Sequence, residues 1–176
     1  MNAISRQALL KIQYGLYVVT SYVGNKLNGQ IVSVVFQVTC DPPKIATCLS
    51  KNTLTHEFVQ KNGTFGVSLL EKDTPMPFIG LFGFHSGRDI DKFKNVNHEI
   101  GLTGCPLVVD NALTTMEVKV LQSVDVGTHT LYVGELINAK ELKVGEALTY
   151  EYYHTFKKGK SPKNAPTYNP GLGIEG

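Results

Sequence analysis

The sequence predicts a mainly β protein: an antiparallel barrel, closed or partly closed, in one domain with a few peripheral helices. Segments rich in aromatic and β-branched residues recur at short intervals, with only a few stretches at helical spacing between them. Eight Tyr and eight Phe with no Trp suit a sheet-rich chain. The 176 residues, 42% hydrophobic and 18% charged, form a single globular unit that can bury a core without disulfides or a structural metal.

The elements follow in order. Ile4, Ala8, Leu9 and Ile12 recur at helical spacing and predict an opening helix over about residues 5–13. YGLYVVTSYV, Tyr14 to Val23, reads as a strand, and Gly24-Asn25 as its turn. Leu27 to Thr39 is β-branched almost throughout and reads as one long, bent, largely buried strand, stopped at Asp41-Pro42-Pro43. Lys44 to Ser50 resumes a strand by alternation. Leu54, Phe58 and Val59 mark a helix, with Asn52, Thr53 or Thr55 as its cap and Gly63 as its close. Thr64 to Leu70 alternates as a strand. Thr74-Pro75 reads as an N-cap and first helical proline leading into Phe78 to Phe82. Residues 84–93 read as a loop running into a helical turn, and residues 101–106 as a loop. Ala112 to Val126 and Thr128 to Ala139 read as a hairpin turning at Asp125-Val126-Gly127. Residues 157–169 are basic, Pro-rich and extended, so the domain is expected to span 1–160 with a tail over 161–176.

Composition excludes several functions. A net charge of +2 gives no concentrated basic face for nucleic acid. The tail lysines Lys157, Lys158, Lys160 and Lys163 lack interleaved aromatics and read as a solvated segment. No apolar run is long enough for a membrane helix, and Lys11 breaks the N-terminal one, so a secretion signal is not expected. Cys40, Cys48 and Cys105 are odd in number and lack metal-clasp spacing, which points to a reducing cytoplasm and to no metal site. GLGIEG at residues 171–176 copies a dinucleotide fingerprint without the strand and helix that give it meaning. GKS at 159–161 lacks the earlier glycine of a phosphate loop, because His154 stands there.

Three stretches could carry chemistry. Gly29-Gln30 and Gln37-Val38-Thr39 put polar groups in an apolar strand where a planar ligand could lie, although taken alone Gln37 and Thr39 are better read as satisfying backbone groups at a strand end. Ser50 to His56 offers hydroxyls, an amide and a helix N-terminus, which suit an anion. His85-Ser86-Gly87-Arg88 offers a tight loop with a planar cation, again suited to phosphate.

Six segments in collinear order resemble the flavin reductase-like family of FMN-binding split barrels, with particular similarity to archaeal ferric reductases. They are YGLYVVTS, GQIVSVVFQVT, KNTLTHEFVQKNGTFGVSLLE, TPMPFIGLFGF, DVGTHTLYVGEL and LTYEYYHTFKKGKSP, spread in order over roughly nine-tenths of the chain. APTY at 165–168 is more similar to flavin reductase domains that work with rubredoxin-type partners. The resemblance implies a split barrel of six or seven antiparallel strands, a homodimer, and FMN near the subunit interface with NAD(P)H as cosubstrate. By position it implies Gly29, Gln30, Ile31 and Val32 along the isoalloxazine, with Gln37, Val38 and Thr39 bordering ring and ribityl chain. Ser50, Asn52, Thr55 and His56 would hold the ribityl chain or phosphate, and Phe84, Ser86 and Arg88 would close the far side. His129 would stand beside the open flavin face, orienting nicotinamide or touching Fe(III), with Cys48 approaching the same pocket. The implied activity is an NAD(P)H-dependent flavin or ferric reductase passing electrons to free flavin, an Fe(III) chelate or a redox protein. The alternative is an FMN electron carrier reduced by another protein.

Overall fold

The computed structural model describes residues 6–9, 11–163 and 165–168. Of the opening helix it describes α1, Arg6–Leu9. The predicted end fingerprint at 171–176 lies outside the described residues. Strands β1 (Tyr17–Val23), β2 (Lys26–Val32), β3 (Val35–Cys40) and β4 (Pro43–Ser50) follow, then α2 (Leu54–Asn62), β5 (Thr64–Leu70) and α3 (Met76–Gly83). The chain continues through β6 (His98–Ile100), β7 (Pro106–Val108), β8 (Ala112–Asp125), β9 (His129–Glu141) and α4 (Tyr150–Thr155).

The main sheet has seven antiparallel strands in the order β2-β1-β5-β8-β9-β4-β3. The long strand read from 27 to 39 divides into β2 and β3, which form opposite edges of this sheet. Only Ser33 and Val34 separate them, so the sheet must curl until its edges share that corner. Val34 pins the corner by accepting hydrogen bonds from Thr47 Oγ1 at 3.0 Å and from the Cys48 amide at 3.3 Å. The result is a split barrel, as expected.

Alternation along β1 feeds two cores. Val19 joins Val32, Leu49, Val59, Phe65, Val67 and Tyr132 on one face. Val18 joins Leu16, Leu70, Ile79, Phe82, Phe93, Leu148 and Tyr153 on the other. Burial of these apolar side chains, about 1.5–3 kcal/mol each, dominates the stabilisation. α2 starts at the cap Thr53, whose Oγ1 accepts the His56 amide, and closes at Gly63 with φ 73°.

Several local expectations shift. The first strand begins at Tyr17, because the preceding backbone pairs instead with residues 148–150: Leu16 donates to the Leu148 carbonyl and Tyr150 to that of Tyr14. Pro75 rather than Thr74 stands at the N-cap of α3, and the Thr74 hydroxyl turns back to the Glu71 carbonyl. The hairpin β6–β7 and the helix α4, capped by Thr149, escaped the sequence reading. Among the described residues no helix is long and apolar enough to cross a membrane.

Candidate functional site

A cavity of about 270 Å³ opens where the β2–β3 corner, the start of α2, the end of α3 and residues 160–162 and 165–167 meet. The end of β2 supplies Gln30, Ile31 and Val32 to its wall, and alternation along β4 supplies Cys48 and Ser50. The cap at α2 is tied into β4, since Thr53 Oγ1 donates to the Ser50 carbonyl at 2.8 Å. This leaves Asn52 and Thr55 on the wall beside the first helical amides, which lack intrahelical acceptors. The loop after α3 adds Phe84, His85, Ser86 and Gly87. Gly87 is a requirement of packing: a Cβ there would lie 1.9 Å from Asn28 Oδ1. Leu16, Ile79 and Phe82 make one side apolar, and Tyr150 and Tyr153 of α4 another.

Two features set the chemistry. Asn28 donates Nδ2 to Thr55 Oγ1 at 2.8 Å, but its Oδ1 is buried without a partner, as is Gln30 Oε1. Buried acceptors of this kind ask for a donor. Among the described residues the lining includes two lysines, Lys92 and Lys160, and no carboxylate. Lys92 is 4% exposed, and its Nζ donates to the Gly29 carbonyl at 2.8 Å and the Phe82 carbonyl at 3.4 Å. Burial pushes its ammonium pKa from 10.5 down to about 8. The cavity therefore suits an anionic ligand with a planar, partly apolar body and a donor edge.

The sequence-predicted residues divide. Gln30, Ile31, Val32, Ser50, Asn52, Thr55, Phe84, Ser86 and Cys48 all line the cavity. Gly29 stands behind the wall, holding Lys92 through its carbonyl. Burial raises the Cys48 thiol pKa, which keeps it protonated at neutral pH and disfavours a thiolate role. The other expected residues lie outside this cavity in the single chain. Gln37, Val38 and Thr39 are exposed on the edge strand β3, away from the cavity. The His56 ring turns under α2, where Nε2 bonds Thr130 Oγ1 at 2.8 Å and the ring packs on Tyr132. Burial lowers its pKa, with Lys51 adding to the effect. Arg88 pairs with Glu57 on the surface, outside the cavity. His129 lies just beyond the lining, opposite Ser50 in the β4–β9 register, with Nδ1 bonded to Thr128 Oγ1 at 2.8 Å.

Sequence reasoning missed Lys92, Asn28 and the tail. A lysine between Ile90 and Phe93 carries no mark of burial, which comes only from the packing of α3 against β2. The tail lysines read as solvated, yet Lys160, Ser161, Pro162, Ala165, Pro166 and Thr167 all line the cavity. The aromatic spacing of Tyr150 and Tyr153 was the available signal.

The chain is similar to several known proteins. The family profile described as "Flavin reductase like domain" matches residues 9–158. A ferric-chelate reductase (NAD(P)H) of Archaeoglobus fulgidus is 50% identical over 162 residues, covering 92% of this chain and 96% of that protein. A high molecular weight rubredoxin of Moorella thermoacetica is 44% identical over 165 residues, covering 94% of this chain and 72% of that protein. Among solved structures, an NADH:FAD oxidoreductase of Streptomyces globisporus superposes with a TM-score of 0.74 at 26% identity, over 82% of this chain and 85% of that one. An FMN-binding protein of Thermus thermophilus gives 0.72 at 26% identity, over 80% and 82%.

Proposed function

The chain belongs to the flavin reductase-like family, and from that premise we propose that it is an FMN-containing, NAD(P)H-dependent flavin and ferric reductase. The observation that carries the reading is the cavity itself: two partnerless buried acceptors, two lysines and no carboxylate. These residues fit FMN. The imide edge of an isoalloxazine offers a donor to Asn28 Oδ1 or Gln30 Oε1, and the phosphate suits the lysines and the start of α2. When bound, FMN accepts hydride from NAD(P)H and releases two electrons to an acceptor. The protein binds, orients and excludes water. Ile31, Val32 and Phe84 would flank the ring, Ser50, Asn52, Thr55 and Ser86 would hold the ribityl chain or phosphate, and Cys48 would pack at the rim. His129, beside Ser50, would orient the nicotinamide or the Fe(III) chelate.

The protein would act as a cytoplasmic homodimer, in keeping with three free cysteines and with Phe36 and Val38 exposed on β3. In such a dimer Gln37, Val38 and Thr39 would meet the second copy. The similarity to a ferric-chelate reductase (NAD(P)H) favours a nicotinamide dinucleotide as the donor. The similarity to a high molecular weight rubredoxin favours a small redox protein as one electron acceptor.

Heat release of the ligand followed by chromatography is expected to give FMN. Anaerobic mixing of the holoprotein with NADH and with NADPH is expected to bleach the flavin rapidly. FAD alone, or a protein unable to take up flavin, would overturn the cofactor assignment. A holoprotein bleached only by a low-potential carrier protein would be an electron-transfer module instead.

A further inference from the structure

We infer that residues 159–163 and 165–167 form a strap that retains the flavin, and that Lys160 on it reads the phosphate. The inference rests on the flavin reading of the cavity and goes beyond it, because the sequence assigned these residues to solvent and Arg88 to the phosphate. Arg88 is committed to Glu57 outside the cavity, whereas Lys160 lines it. Lys92, the other lining lysine, has its ammonium engaged with two backbone carbonyls. Lys160 is exposed, and its backbone is held in place: the Tyr153 hydroxyl donates to the Lys160 carbonyl at 2.9 Å.

The strap is tied at both ends. At its start Gly159 lies against the Tyr153 ring so closely that a Cβ would come within 2.1 Å of it, and its amide donates to the Tyr153 carbonyl. His154 Nδ1 bonds the Gly159 carbonyl at 2.8 Å. A carbonyl only accepts, so Nδ1 carries the proton. In the neutral ring Nε2 is then free to accept from Ser161 Oγ at 3.2 Å. Tyr150 Oη, with one proton to give, lies 2.7 Å from Ser161 Oγ and 3.1 Å from the Thr167 carbonyl. At the cavity wall Thr167 Oγ1 meets Ser33 Oγ, at the β2–β3 corner, at 3.4 Å. The described residues of the strap thus reach from the end of α4 to the barrel corner along the cavity. No strand pairing holds it, so it can open locally while the barrel stays folded.

The test uses the full chain, flavin-stripped and titrated with FMN and riboflavin by fluorescence quenching, with release followed after dilution into excess competing apoflavoprotein. Wild-type protein is expected to bind both flavins and to prefer FMN; failure to bind either would overturn the flavin reading itself. Lys160→Gln is expected to weaken FMN about tenfold, the scale of one charge-assisted hydrogen bond, and to leave riboflavin unchanged. Equal effects on both flavins, or none, would overturn the phosphate role. His154 anchors the strap without lining the cavity, so His154→Ala and Ser161→Ala are each expected to speed release of both flavins several-fold in protein shown folded by circular dichroism. Release at the wild-type rate in both variants would overturn the strap. A merely structural His154 would lower the melting temperature and leave the release rate of folded protein unmoved.

Discussion

The charge on Lys92 should cost the flavin-free protein stability in a pH window that can be measured directly. Burial lowers the ammonium from 10.5 to about 8, which corresponds to about 3 kcal/mol against the charged form. Below pH 8 both the folded and the unfolded chain hold the proton, and the full penalty applies. Between pH 8 and 10.5 the fold has released a proton that the unfolded chain keeps, so stability rises with pH. Above 10.5 both states are neutral and the penalty is gone. Lys92→Met removes this titration, and it also removes the hydrogen bonds to the Gly29 and Phe82 carbonyls. The absolute stability of the variant therefore mixes two effects. The difference between wild type and variant does not, because the other titrating groups are common to both proteins. Urea unfolding of the flavin-free proteins at pH 7, 8.5 and 10 is expected to show that difference moving by about 2–3 kcal/mol in favour of wild type as the pH rises. A difference that stays constant with pH would refute the reasoning. An anionic ligand favours the charged lysine, so FMN affinity of the wild type is also expected to fall above pH 8, and that of Lys92→Met to stay flat.

Three further outcomes follow from the geometry. Gly87→Ala places a methyl group on Asn28 Oδ1 and is expected to weaken FMN binding at least tenfold while thermal unfolding still shows a cooperative barrel, whereas unchanged binding would mean that the loop does not seat on Asn28. Arg88→Ala breaks an exposed ion pair with Glu57 and is expected to cost less than about 1 kcal/mol in denaturant melts and to leave FMN affinity within about twofold of wild type; a large loss would return Arg88 to the phosphate site. His129→Ala is expected to keep full FMN occupancy and to slow the nicotinamide or Fe(III) step about tenfold in stopped-flow traces, whereas lower stability with normal kinetics per bound flavin would make the histidine structural. Cys48→Ser, its companion, is expected to leave both steps unchanged, since its thiol stays protonated on the cavity wall.

The barrel was legible wherever alternation and turn residues spoke locally. Thr64–Leu70 and the β8–β9 hairpin emerged close to their observed limits, the first strand was read three residues early, from Tyr14, and Gly63 with one of Asn52, Thr53 or Thr55 marked α2. The split of the strand after Val32 was not legible, because Ser33-Val34 carries no turn chemistry; the corner is imposed by closure of the sheet. The same difference separates the site residues. Ser50, Asn52, Thr55 and Ser86 were found because a polar run at a helix start or a glycine loop is visible in one dimension. His56 belongs to the same run, yet helical geometry turns its ring beneath α2 towards Thr130. Lys92 and Lys160 owe their places to packing between distant segments, which no local pattern records.

The shared corner between β2 and β3 also matters for the order in which the barrel is made on the ribosome. The first fifty residues contain both edge hairpins, β1–β2 and β3–β4, joined at Ser33-Val34. The strands that fill the gap between β1 and β4, namely β5, β8 and β9, come later, and β9 ends at Glu141. At about 5–20 residues per second, translation from Ser50 to Glu141 takes roughly 5–20 s. β5 covers the inner edge of β1 early in that interval, but β4 presents an unpaired inner edge until β9 is made, the kind of surface to which other chains add strands. A growing chain of this fold is therefore most exposed to aggregation at mid-synthesis, and the cavity wall formed by Cys48 and Ser50 is completed only when β9 arrives.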